Sequence, residues 1–174
     1  MSSARAAVLA SAIDTSVPLL TRFLDGFDES NRTRQAPGLP NHACWSLGHC
    51  ALTMLRVREK LSGQGLPESD FVAGPRGDGS CFGTESVAFG SRPADDPAAY
   101  PSLARSRAIF EQAASALAAA IRSATDEQLD RPIPWGRAEI TLAEMLPRMV
   151  FHNGTHAGQL VDLRRALGMP PVIR

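Results

Sequence analysis

The chain has 174 residues, 44% hydrophobic and 21% charged, and its eighteen basic and eighteen acidic side chains cancel to no net charge. That is the composition of a chain with a core to bury, and it excludes a wholly disordered protein. It has no basic excess with which to neutralise phosphates, and at 6% aromatic residues it has little to stack on bases, so nucleic-acid binding is not expected.

Four segments carry a helical hydrophobic period, and none carries a sustained strand alternation. The first runs from about Ala4 to Phe27 and puts Leu9, Ile13, Val17, Leu20, Leu24 and Phe27 on one face. Pro18 lies inside it and costs about 3 kcal/mol in a helix interior, which predicts a kink or restart near Ser16. The second runs from about Asn41, a good N-cap, to Ser62, with Gly63 as its stop. Residues 63–100 then hold seven of the fourteen glycines together with Pro67, Pro75, Pro93 and Pro97. A connection of that length is a lid, a binding loop or disorder, and a short hairpin within residues 70–90 stays open. The third helix runs from about Pro101 to Ser123, with Leu103, Phe110, Ala114, Leu117 and Ile121 on one face. Residues 130–139, with Pro132, Pro134 and Trp135, read as irregular. The fourth helix starts near Thr141 with Glu144 three residues on, a capping box, and runs to Leu167 before Gly168, Pro170 and Pro171. The expected fold is all-α: a four-helix bundle in a single domain, residues 1–174, with a long Gly/Pro-rich loop at 63–100 between helices two and three.

Three cysteines, Cys44, Cys50 and Cys81, are an odd number in a domain large enough to need no disulfide scaffold. Buried inert thiols are the expectation for them. The N-terminal stretch makes a poor signal peptide, and no run of about 18 uninterrupted apolar residues predicts a membrane span. A reduced cytoplasm is the expected compartment.

Four histidines remain: His42, His49, His152 and His156. The apolar seam of the fourth helix, Leu142, Leu146, Met149, Asn153, His156, Leu160, Leu163 and Leu167, passes through His156, and His152 sits one turn earlier. An i, i+4 pair points both imidazoles to one side, where they can share a metal ion or bond to other groups. Polar rings in an apolar seam are costly to bury without a partner, and a metal is such a partner. His49, mid-way along the second helix, is the better third ligand. His42 lies seven residues earlier, about 10.5 Å along the axis, too far to share an ion readily. It reads as an exposed or capping histidine. Trp45, one turn before His49, walls a pocket or packs in the core. Thr53, one turn after, donates to a bound water or back to the helix. Gln159 orients His156 or fills polar space in the seam. Arg56, Arg164 and Arg165 are either solvated or meet an anionic substrate.

The stretch Asn41-His42-Ala43-Cys44-Trp45-Ser46-Leu47-Gly48-His49 resembles the N…W-x-L-G-H segment of the DinB/YfiT-like superfamily. The stretch His152-Asn153-Gly154-Thr155-His156-Ala157-Gly158-Gln159, followed by Leu163-Arg164-Arg165 and Leu167-Gly168, resembles its H-x-x-x-H-x-G-Q…L-R-R-x-L-G segment. The resemblance implies a four-helix bundle that binds one divalent metal through His49, His152 and His156, the three that position had already singled out. Many relatives carry Glu after the first histidine of the pair. Asn153 stands there in this chain, so the general base of an H-E-x-x-H protease is absent, and Asn153 is expected to orient a ligand ring or bond to water.

Three neutral imidazoles leave coordination positions open for water or substrate. The resemblance implies two activities: a metal-dependent hydrolase-like enzyme, or a thiol-dependent transferase or isomerase. A non-catalytic metal-stapled bundle and a metal-free interaction module are the alternatives. All-imidazole ligation suits zinc, nickel, copper or iron. The expected partner is a small-molecule substrate, a thiol or an anion, with no nucleic acid and no membrane. A homodimer through a helix face is compatible with a bundle, although no residue singles out the face.

Overall fold

The computed structural model describes residues 3–135 and 137–173. Four long helices form its frame: α1 (Ala4–Thr21), α2 (Ala43–Ser62), α3 (Leu103–Ser123) and α5 (Leu142–Ala166), with a single-turn α4 (Asp126–Asp130) before the last. α1 packs on α3 and α5, and α2 packs on the same two, so α2 and α5 are neighbours along one side of the bundle.

Each helix starts where a side chain can take up free N–H groups. Ser3, Ser102 and Thr141 accept from the first turns of α1, α3 and α5, and Glu144 completes the capping box of α5. Gly63 closes α2 in the left-handed conformation, φ 75°, which costs a glycine nothing. Pro18 does not restart α1 near Ser16. The helix runs through it and tightens into a 3-10 turn at Arg22–Leu24, because a proline in the last turn removes only one internal bond. By length and apolar composition Ala4–Leu24 would pass for a membrane span. Ala6, Ala10, Ile13 and Leu20 on this segment are nevertheless buried in the bundle core.

The N-cap of α2 is His42 rather than Asn41. Its Nδ1 accepts the Trp45 N–H at 3.0 Å, and its ring meets Tyr100 edge-on at 4.6 Å. The capping expectation holds and the exposed one does not, since the ring is fully buried. Burial holds its pKa at about 4, against 6.5 for a free histidine. Between those values the unfolded chain binds more protons than the folded one, so stability is intact above pH 6.5 and falls as pH drops toward 4. The difference is on the order of 3 kcal/mol. His42→Asn, which can still cap but does not titrate, should remove that part of the acid loss in urea unfolding at pH 4.5 and 7.

Residues 63–102 are not a free loop. They form a strap laid on α2, with Phe71, Phe82, Val87 and Tyr100 buried. Its short strands β1 (Phe71–Val72) and β2 (Phe82–Gly83) pair in parallel, not as a hairpin. Asp70 and Arg105 tie the strap to α3 through a 2.6 Å ion pair. At Gly48 of α2 a Cβ would lie 2.7 Å from the Phe82 ring and 2.9 Å from Val87, so the strap seats on a residue with no side chain. The stretch expected to be irregular before α5 is an antiparallel hairpin, β3 (Pro132–Trp135) with β4 (Ala138–Thr141). Ile133 faces Ile140 across it, both buried. Two prolines and one cross-strand apolar pair leave too little alternation to announce it.

Candidate metal centre

α2 and α5 bring His49, His152 and His156 together. Their ring centroids lie 4.7–5.1 Å apart, and one nitrogen from each lies within 4.8 Å of the others. Imidazole nitrogens on a shared zinc ion sit about 2.0–2.1 Å from it, so a small closing of the side chains suffices. His42 is not part of the group.

The strap orients the first of the three. His49 Nδ1 lies 2.8 Å from the Val87 carbonyl oxygen. A carbonyl can only accept, so Nδ1 carries the proton and Nε2 keeps the lone pair a metal needs. Trp45 stacks on the same ring at 4.6 Å and 14°, while its Nε1 donates to Ser91 Oγ at 2.9 Å. Ser91 Oγ donates in turn to the Ser86 carbonyl.

All three rings are held neutral. Burial lowers the pKa of His49 against the pull of the Val87 bond. Burial, with His49 beside it, holds His152 at about 4. Burial, with His152 and His49 beside it, holds His156 at about 3, and only Gln159 pulls the other way. The Nδ1 atoms of His152 and His156 are buried without a hydrogen-bond partner among the described residues. Such orphans cost about 1–3 kcal/mol each. Three convergent neutral imidazoles, two of them with unpartnered nitrogen, therefore fit a divalent cation.

Outside the rings lies a cleft of about 680 Å³. His49 and His152 open into it, with Leu52 and Met149 beside them and Phe89 and Phe151 at its edge. The strap thus forms part of the pocket wall, through Ala88 and Phe89. Thr53 also lines the cleft, but its hydroxyl donates to the His49 carbonyl at 2.8 Å. Gln159 Oε1 accepts from Asn41 Nδ2 at 2.8 Å, linking α5 to the residue before the α2 cap.

Asn153 is a correction. It is 1% exposed, faces α1 rather than the cleft, and donates to Ser16 Oγ at 3.0 Å and toward Met54 Sδ. One residue past His152 turns a side chain by about 100°, away from the site. Arg164 is another correction: buried, it donates to the carbonyls of Phe23, Asp25 and Pro170 and closes the end of α1 against the C-terminus. Arg165 is exposed and pairs with Asp162. The three cysteines are free and buried, and burial raises the thiol pKa of Cys44 and Cys50.

The residues missed in sequence are Val87, Ser91, Phe89, Phe151 and Arg148. Val87 acts through its backbone, which no side-chain pattern reveals. Gly48 within a helix was the one available signal of a close approach.

Among solved structures, YfiT from Bacillus subtilis shares the fold, with a TM-score of 0.63 at 16% identity over 98% of this chain and 91% of that one. It is described as a probable metal-dependent hydrolase with an unusual four-helix bundle topology. No curated protein matches the chain by sequence. The family model of the DinB superfamily matches residues 12–160, through both the Trp45–His49 and the His152–Gln159 segments. The chain belongs to the DinB superfamily.

Proposed function

We propose that this protein is a metal-dependent enzyme of hydrolase type whose ion is held by His49, His152 and His156. The observation that carries the reading is the convergence of three neutral imidazoles, with ligand atoms within 4.8 Å of one another, two of which, His49 and His152, line an open cleft. A closed structural site would surround its ion with protein ligands, whereas three ligands beside a cleft leave room for substrate. A divalent ion held there supplies Lewis acidity to whatever donor fills its remaining positions. The chain's own part is to keep the rings unprotonated, to fix the His49 tautomer through Val87, and to admit substrate past Phe89 and Phe151.

Transfer to or from a small thiol is a second reading, favoured by one feature. Among the described residues no carboxylate lines the cleft, so none of them stands ready as a general base to take a proton from water. A thiol, with a free pKa near 8.5, would need no such base, because coordination to a divalent ion would deprotonate it outright.

The test is metal analysis of protein purified without a polyhistidine tag, followed by turnover of ester and thiol-conjugate panels. About one transition-metal ion per chain, with ester turnover lost on chelation and restored by zinc, nickel or iron, is the expected result. Turnover only in the presence of a free thiol selects the second reading. Stoichiometric metal without turnover in either panel points to a structural ion. Absence of metal, with melting unchanged by chelator, overturns both readings.

A further inference from the structure

The cleft is apolar along most of its length and basic at one end. Leu52, Ala88, Phe89, Met149 and Phe151 supply the apolar lining, and Arg56 and Arg148 supply the charge. The two arginines come from different helices but lie toward the same end. Asn41 meets Gln159 at one level of the bundle and His49 meets His152 at the next, so α2 and α5 run antiparallel. Going forward from His49 to Arg56 and backward from His152 to Arg148 is therefore one direction. The displacements are seven and four residues, about 10.5 Å and about 6 Å along the axes.

Neither guanidinium is firmly engaged elsewhere. Arg56 pairs with Glu59 at 2.9 Å, but both side chains are more than a third exposed, and such pairs contribute little. Arg148 makes no hydrogen bond or ion pair among the described residues. The acid it influences, Glu144, is committed to the Thr141 capping box. Phe89 and Phe151 are 96% and 78% exposed at the cleft edge. Rings left in water beside a concave apolar surface are the mark of a binding site for an apolar body.

We propose that the site takes an amphipathic anion: a small molecule whose apolar body lies along the cleft and whose carboxylate is held by Arg56 and Arg148, with its reacting group at the histidines. The placement of the reacting group rests on the metal-enzyme reading. The apolar body and the arginine-held carboxylate do not. The planar guanidinium suits a carboxylate, and two of them at one end give the cleft a direction.

Calorimetric titration of the metal-loaded protein at low salt, with octanoate, octanamide and acetate as probes, tests this. Octanoate should bind at least tenfold more tightly than either of the others. Arg56→Gln/Arg148→Gln should erase the preference over octanamide while leaving octanamide binding and melting temperature unchanged. Equal binding of octanoate and octanamide, or a double variant that binds octanoate like the parent, overturns the proposal. So does octanoate binding that disappears on chelation but ignores the arginines, because the carboxylate is then on the metal. Arginine-dependent preference that persists in metal-free His152→Ala protein supports the substrate class even if the metal-enzyme reading fails.

Discussion

His156→Leu should melt above the parent protein in the presence of chelator, by roughly 2–10 °C, and should bind no metal. His156 is 6% exposed, and its Nδ1 has no partner among the described residues. Burial and the two neighbouring histidines hold its pKa at about 3, so the ring sits neutral and incompletely bonded in an apolar seam. Leucine fills similar space without a polar atom to strand, which recovers about 1–3 kcal/mol. It also removes one of three ligands. Metal at a thousand times its dissociation constant stabilises the folded state by about 4.1 kcal/mol, more than the variant gains, so the ranking should reverse when ion is added back to both proteins at that level. The acid response follows the same logic. A ring that protonates near 6.5 unfolded and about 3 folded makes metal-free parent protein lose stability as pH falls from 6.5 toward 3, and the variant should lose less. Scanning calorimetry with chelator, with zinc, and across pH reads all three effects. A variant that melts below chelated parent protein would mean that the imidazole supports the fold, which favours histidines bonded among themselves.

The helices and the histidine triad were legible in sequence because both are written in side-chain spacing. Thr141 with Glu144, Gly63 and Gly168 mark helix ends through local chemistry that survives in any context. His152 and His156 declare one face by their separation, and His49 declares the helix opposite by its place mid-segment. What lay hidden depends on non-local contact. The 63–100 stretch looks unstructured because its order comes from Phe71, Phe82 and Val87 packing on α2, not from any period of its own. Val87 holds His49 with a carbonyl, an atom every residue has. Arg56 and Arg148 are 92 residues apart in sequence and meet one cleft only because α2 and α5 are antiparallel neighbours. Asn153 misled because it directly follows His152 in sequence, while one step along a helix turns it toward Ser16.

Gly48→Ala and Gly154→Ala place the same methyl group in two helices of the same site, and they should act with opposite sign. At Gly154, between His152 and His156, a Cβ meets nothing within 4 Å. Alanine there should stabilise α5 by up to about 1 kcal/mol and leave metal affinity unchanged. At Gly48 the added Cβ lies 2.7 Å from two carbons of the Phe82 ring and 2.9 Å from Val87 Cγ1. Phe82 is fully buried and packed 5.9 Å from the Phe71 ring, so it has no free space to retreat into. Overpacking of this kind costs about 1–3 kcal/mol, which exceeds the helix-propensity gain of about 1. The strap must lift, and Val87 lifts with it. Its carbonyl then leaves His49 Nδ1, the ring is free to turn or change tautomer, and metal affinity should fall about 10–100-fold, the usual effect of losing an orienting partner. Adding Phe82→Leu to Gly48→Ala removes part of the obstruction and should recover part of that affinity. Competitive chelator titration of the two alanine variants and the double variant, beside urea unfolding, separates the two losses. Unchanged affinity in a destabilised Gly48→Ala protein would show that the Val87 carbonyl holds the strap and not the ligand. A joint fall that Phe82→Leu reverses would make the strap the element that keeps His49 ready for an ion.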